Sequence, residues 1–214
     1  MDELIALYDA AGRECGSASR SQMRAHNLRH AATVVGVVHP NGRIYVHRRT
    51  ETKDVFPGLH DFACGGVLGA GEDPAAAAAR ELAEELGIVG APLTPLGEAD
   101  YADAHTDYRA FRFEVVWDGP IRWQPEEVAW GDWMDPADVL RQLAAADAGP
   151  DAGPSPVPNA RPDGEAPAGW VPDTCALMRD WLSHRVAASS GPPSVGDSPG
   201  EHSGPSGSAD RLSG

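Results

Sequence analysis

Lysine is almost missing from this chain: Lys53 is the only one among 17 basic residues in 214 positions. Acidic residues number 32, so the formal net charge is −15 and the isoelectric point lies near 4.8. A surface of that sign is a poor holder of a nucleic-acid backbone, which needs clustered cations. Cysteine is scarce as well. Cys15, Cys64 and Cys175 are odd in number, widely spaced and form no CxxC pair. That argues against a disulfide framework or a structural zinc site and for a reducing compartment. No run of about 18 or more apolar residues occurs, so no transmembrane helix is expected. The opening Met1-Asp2-Glu3-Leu4-Ile5 is acidic and does not read as a secretory signal. The expectation is a cytoplasmic globular protein with neither a membrane nor a nucleic-acid polymer as partner.

What is present suffices for one sizeable core: 42% of the residues are apolar. Two segments fall outside it. Of the 26 residues from Ser189 to Gly214, 18 are Ser, Gly or Pro, too few apolar groups to offset the entropy of ordering, so this tail is expected to be disordered. From Asp147 to Gly169, 15 of 23 residues are Pro, Gly or Ala, which reads as an irregular loop. Residues 1–188 are thus expected to form a single domain. Within it, strands and helices interleave. Leu4–Tyr8 reads as a strand, Ser19–Asn27 as a short helix capped by Ser19, and Thr33–Arg48 as a hairpin turning at Asn41-Gly42. Asp73-Pro74 starts a helix that Gly87 ends. Strands follow near 93–96, 108–117 and 128–133. Asp135-Pro136 opens another helix, and Asp173–Val186 carries Leu177, Met178, Trp181 and Leu182 on one stripe. The pattern predicts an α/β fold, a mixed sheet flanked by helices.

The chemistry concentrates on the helix after Asp73. At about 100° per residue, Glu81 and Glu85 lie about 40° apart and Glu84 about 60° to the other side. Three carboxylates share one arc and repel one another. Arg80 reaches Glu84 at i,i+4, and a hard divalent cation with oxygen ligands would offset the repulsion further. Glycines 65, 66, 69 and 71 precede the helix and let the backbone approach a ligand.

The segment from Gly66 to Ile88 has the form Gly-x5-Glu-x7-Arg-Glu-aliphatic-x-Glu-Glu-x-Gly-aliphatic, and in this it resembles the signature box of the Nudix hydrolase superfamily. The resemblance implies an α/β/α sandwich and hydrolysis of a diphosphate in a small molecule, typically a nucleoside diphosphate linked to X, with Mg²⁺ or Mn²⁺. It further implies that Glu81, Glu84 and Glu85 are metal ligands, one of which also orients or deprotonates the attacking water. Arg80 would hold the carboxylates, Gly66 would serve the loop, and Glu72 would support the loop or a further metal. A homodimer is compatible with the family. A narrower likeness, carried by Asn27–Ala31, Arg48–Gly58 and Cys64-Gly65-Gly66, is similar to the isopentenyl-diphosphate isomerase-like branch and its bacterial hydrolases. There Cys64 would match a catalytic thiol and His30 a metal ligand, but Gly66 stands where a second His ligand belongs and Arg109 about where a catalytic Glu would align. Isomerisation and a non-catalytic nucleotide-binding module are the alternatives to hydrolysis.

Outside the box, Arg49 and Lys53 offer a diphosphate clamp or a solvated strand end. Cys64 is either a small buried residue or a nucleophile. His26 and His30 have i,i+4 spacing, although His30 also directly precedes a strand pattern. His60 and His105 are further cleft candidates. Glu127 is a candidate base, metal ligand or edge charge. Trp123, Trp130 and Trp133 offer base stacking or core packing.

Overall fold

The computed structural model describes residues 2–148 and 169–189. The irregular stretch expected over 147–169 and the tail expected from 189 lie, but for their ends, outside the described residues. Strands β1 (Leu4–Tyr8) and β2 (Glu14–Ser19) form a hairpin leading into helix α1 (Arg20–Ala25). Then come β3 (His30–Val38), β4 (Ile44–Arg49), the two-residue β5 (His60–Asp61) and helix α2 (Pro74–Leu86). Strands β6 (Leu93–Ala102), β7 (Asp107–Val116) and β8 (Val128–Met134) precede helices α3 (Pro136–Asp147) and α4 (Pro172–Ser189).

All eight strands share one mixed sheet. β3 runs parallel to β7 over nine paired residues, His30↔Tyr108 to Val38↔Val116. β6 continues the sheet antiparallel to β7, and β8 pairs antiparallel with β4. Between β3 and β4 only Val38↔Ile44 pairs. Below that point the two strands part. The wedge is filled by β5, which pairs with β4, and by single bridges from β3 to Cys64 and Val67.

Side chains of β3 alternate between the sheet's two faces, as strand geometry requires. Val35 and Val37 pack with Leu82, Leu86 and Ile88 under α2. Val34 and Val38 pack with Val139 and Leu143 of α3 and Met178, Trp181 and Leu182 of α4. The expected α/β/α layering is present. Trp181 is seated by its Nε1–H donating to Glu114 Oε2 at 2.6 Å, and Glu114 is also paired with Arg185. The hairpin β1–β2 was legible only in its first strand, because β2 (Glu-Cys-Gly-Ser-Ala-Ser) is mostly exposed and has no apolar alternation.

Helix α2 is built by local rules. The Asp73 carboxylate accepts the N–H groups of Ala75 and Ala76, both at 3.0 Å, and Pro74 occupies the first turn. Gly87 closes the helix in the left-handed region at φ 68°. Ala77, Ala78, Leu82 and Leu86 face the sheet, each leucine contributing roughly 1.5–3 kcal/mol by burial. Asp73→Ala leaves two helix N–H groups without their cap and is expected to lower stability by about 1 kcal/mol in urea denaturation.

Candidate active site

The loop from Gly65 to Asp73 lays the backbone against the carboxylate face of α2. Gly65 adopts φ 149°, and a Cβ there would lie 2.1 Å from the Thr33 carbonyl oxygen, so no side chain fits. A Cβ on Gly66 would lie 2.3 Å from Glu81 Oε1, so the glycine makes the space that this carboxylate occupies.

Arg80 is the hub. Its Nε–H donates to Glu72 Oε1 at 3.0 Å, and Nη2 donates to Glu72 Oε2 at 3.2 Å. Nη1 donates to Glu81 Oε1 at 2.7 Å and to Glu84 Oε2 at 3.2 Å. The Glu72 carboxylate also accepts the Gly69 N–H at 2.8 Å, so it ties loop to helix. Hydrogen bonds from Arg80 hold the Glu72 carboxyl below the usual carboxylate range. Across the cleft, Lys53 Nζ donates to Glu85 Oε1 at 3.4 Å and pairs with Glu127. Glu85 is 5% exposed, and its Oε2 accepts the Gly65 N–H at 3.4 Å. Burial lowers the Lys53 pKa, with the Glu85 charge opposing. Burial, and then the charge of Glu85, raises the Glu81 pKa, with Arg80 opposing.

These groups line a cleft of about 370 Å³. Its chemistry suits a hard divalent cation: the donors are carboxylate oxygens, and Glu81 is crowded enough to favour a neutralising charge. Among the described residues, no three ligating groups stand close enough to share an ion as placed. Each carboxylate is instead engaged by Arg80 or Lys53.

The two residues of the expected Arg49–Lys53 clamp line different cavities. Lys53 enters the cleft, whereas Arg49 lines a second, smaller crevice of about 100 Å³ behind Gly65 and Gly66. Four residues along an irregular loop impose no common direction on two side chains. Cys64 lines that crevice too, bridged to Val35 and 5% exposed; burial, then Glu85 and Glu81, push its thiol well up, which leaves it a protonated packing residue. His30 is buried, with Nδ1 2.9 Å from the Leu28 carbonyl oxygen and its ring stacked on Tyr108. Burial lowers its pKa to about 4. His26 lies at the end of α1 against the Gln22 carbonyl, apart from His30, and the pair forms no ligand set. His60 packs between Trp130 and Trp170, and His105 meets Phe56 edge-on. Among the described residues no tryptophan lines either cavity; Trp133 packs on Tyr45 and His39.

Sequence reasoning missed Glu3, Arg20 and Gln124, which also line the cleft. It missed Asp61, Tyr108 and Asp173 in the crevice as well. Asp61 had a signal: a lone acid beside Phe62-Ala63, both buried. Its Oδ1 accepts the Ala63 N–H at 3.1 Å.

Comparison with known proteins places this geometry. A NUDIX domain family model matches residues 27–152. The chain is 43% identical over 152 residues to the uncharacterised Nudix hydrolase orf19 of Rhodococcus erythropolis, covering 66% of this chain and 82% of the relative. It is 40% identical over 152 residues to the uncharacterised Nudix hydrolase SCO1686 of Streptomyces coelicolor, covering 70% and 84%. In fold it is similar to DR0079 of Deinococcus radiodurans (TM-score 0.57, 23% identity, 67% of this chain and 90% of that one). It is also similar to a MutT protein of Methanosarcina mazei (TM-score 0.51, 16% identity, 76% and 96%). The chain belongs to the Nudix family and is a hydrolase acting on pyrophosphate bonds.

Asp61 supplies a test of the crevice electrostatics. Burial, with Asp173 adding to it and Arg49 opposing, pushes its carboxyl up to about 7 from an ordinary 3.8. An acid whose pKa rises on folding stabilises the fold fully below its unfolded pKa, and that contribution is lost as pH climbs through about 7. Asp61→Asn keeps an acceptor for Ala63 and removes the ionisation. Its melting temperature is expected to gain on the wild type steadily between pH 4 and 8, which a pH series of thermal melts checks.

Proposed function

We propose that the protein hydrolyses a diphosphate linkage in a small molecule with a divalent cation, Mg²⁺ or Mn²⁺, held by Glu81, Glu84 and Glu85. The observation that carries this is the gathering of those carboxylates with Glu127 around one cleft, beside a loop whose Gly66 makes room for the Glu81 carboxylate. Bound there, the cation would neutralise the diphosphate and acidify a water. Glu84 is the most exposed of the three, its side chain 53% accessible, which supports it as the one that meets that water. Arg80 keeps Glu81 and Glu84 aimed into the cleft, and Lys53 keeps Glu85 and Glu127 there. Lys53 and Arg20 supply positive charge to phosphate oxygens. A nucleoside diphosphate linked to X satisfies this description.

Isomerisation is disfavoured by Cys64, which is buried and protonated, and by Gly66, which offers no ligand. The three cysteines are free, which supports a cytoplasmic setting. No helix among the described residues is long and apolar enough to cross a membrane.

Glu84→Gln and Glu85→Gln are each expected to lower kcat by about 100-fold or more with the melting temperature nearly unchanged. Phosphorus NMR in ¹⁸O-labelled water, with and without Mg²⁺, measures the turnover and locates the cut bond. Full activity in both variants would overturn the assignment. Gly66→Ala forces the Glu81 carboxylate out of its place and is expected to lower kcat while circular dichroism stays that of the wild type.

A further inference from the structure

The ammonium of Lys53 and the carboxylates of Glu85 and Glu127 come from three separate segments, so the backbone has to arrange their meeting. Thr50 stands at the junction. Its carbonyl accepts the Lys53 N–H at 3.4 Å and the Gly58 N–H at 3.2 Å, which closes the loop that carries Lys53. Its own N–H donates to the Glu127 carbonyl at 3.1 Å, one step beyond the Arg49↔Val128 pair that ends the β4–β8 ladder. The Glu127 N–H then donates to the Gln124 carbonyl, and the Gln124 N–H to the Glu85 carbonyl, both at 3.0 Å. Every step from Lys53 to Glu85 through Thr50, Glu127 and Gln124 is hydrogen-bonded, and the Lys53 side chain closes the path into a ring.

The Thr50 side chain adds a second tie. Its hydroxyl donates to the Glu126 carbonyl at 2.8 Å and lies 3.0 Å from the Thr52 hydroxyl. A hydroxyl has one proton to give, so here Thr52 donates to Thr50. This relay joins the residue before Lys53 to the residue before Glu127. Other holds on the loop lead elsewhere: Arg48 donates to the Gly58 carbonyl, Arg49 to the Val55 carbonyl, and Asp54 is gripped from α1. We infer that Thr50 is a positioning residue for the reaction, setting through its hydroxyl the place of the Lys53 ammonium between Glu85 and Glu127. The inference rests on the reading of the cleft as a metal and diphosphate site. Because Lys53 serves that site by supplying positive charge to phosphate oxygens, loss of the tie acts first on diphosphate affinity.

The test uses the full chain and exploits its single lysine: in protein grown on ¹⁵N-lysine, Lys53 gives the only side-chain ammonium signal. Thr50→Val keeps the shape and removes the hydroxyl, and Thr50→Ser keeps the hydroxyl. Thermal melts confirm folding, and Thr50→Ala takes the place of Thr50→Val should valine prevent it. The wild-type ammonium, 14% exposed between two carboxylates, is expected to give one sharp Nζ–H signal. Thr50→Val is expected to shift that signal and to speed its proton exchange with water by about three- to tenfold, and Thr50→Ser to restore both. Calorimetric titration uses Mg²⁺ with methylenediphosphonate, a diphosphate whose P–C–P bridge water does not cleave. Affinity is expected to fall by about three- to tenfold in Thr50→Val and to return in Thr50→Ser. Adding Thr50→Val to Lys53→Met is expected to cost nothing further. An unchanged Lys53 signal in the folded variant overturns the positioning role. So does an unchanged affinity where the wild type binds, or an equal loss in the Lys53→Met background. A shifted, serine-rescued Lys53 signal in a protein that binds no methylenediphosphonate supports the positioning of Lys53 and overturns the reading of the cleft instead.

Discussion

The site depends on one guanidinium. A chain of net charge −15 places Glu72, Glu81 and Glu84 within reach of one another, and in an isolated helix such neighbours repel. Arg80 reverses the sign of that interaction by donating to all three. Its planar fork suits the task, since it engages Glu72 with two parallel bonds while a third nitrogen face serves the helix. Lys53 does the same for Glu85 and Glu127 from the opposite wall. The fold therefore does not require a metal to hold its carboxylates together. Any divalent cation entering the cleft competes with a guanidinium and an ammonium as well as with water. On the proposed reading, displacing them would free positive charge where a diphosphate brings negative charge.

That arrangement reaches beyond the part of the chain the family model spans. Asp54, next to Lys53, is gripped by Arg24 at 3.1 Å and Arg20 at 3.5 Å, both from α1. These arginines hold the Asp54 carboxyl below the usual range against the opposing cost of burial. Residues 2–26 thus anchor the loop that carries Lys53, and Glu3 and Arg20 complete the cleft wall. Each ion pair is partly exposed and contributes modestly by itself. Their joint effect is positional: they fix where an otherwise irregular loop delivers its ammonium.

Helix α2 and its chemistry were legible in the sequence because every determinant is local. Cap, first-turn proline, terminating glycine and glutamate spacing all act within a few residues, and the helical period converts spacing into a shared face. The turn between β3 and β4 and the α4 stripe were legible for the same reason, but the parting of the two strands beyond Val38↔Ile44 was not. What escaped depends on long-range closure. β2 shows no apolar period because β1 supplies its pairing and water its other side. The divergence of Arg49 from Lys53 follows from the path of the 50–58 loop, where Phe56 takes a positive φ of 52°, and no periodicity reports that. The crevice needs residues from β5, β7 and α4, more than 100 positions apart, to meet.

The sheet explains why they meet. β3 is locked to β7 along its whole length but to β4 at a single pair, so the sheet opens like a hinge below Val38. A gap there would expose backbone groups that must be paired. The chain from His60 to Val67 fills it, bonding to β4 on one side and to β3 on the other. This inserted strip passes through Gly65 and Gly66, where side chains would collide with Thr33 or Glu81. Two glycines are thereby the wall between two cavities of opposite character. The α2 side is rich in carboxylates, whereas the far side sets Arg49 beside Asp61 and Asp173. A split sheet, repaired by an inserted strip, thus sets two cavities back to back with two glycines between them.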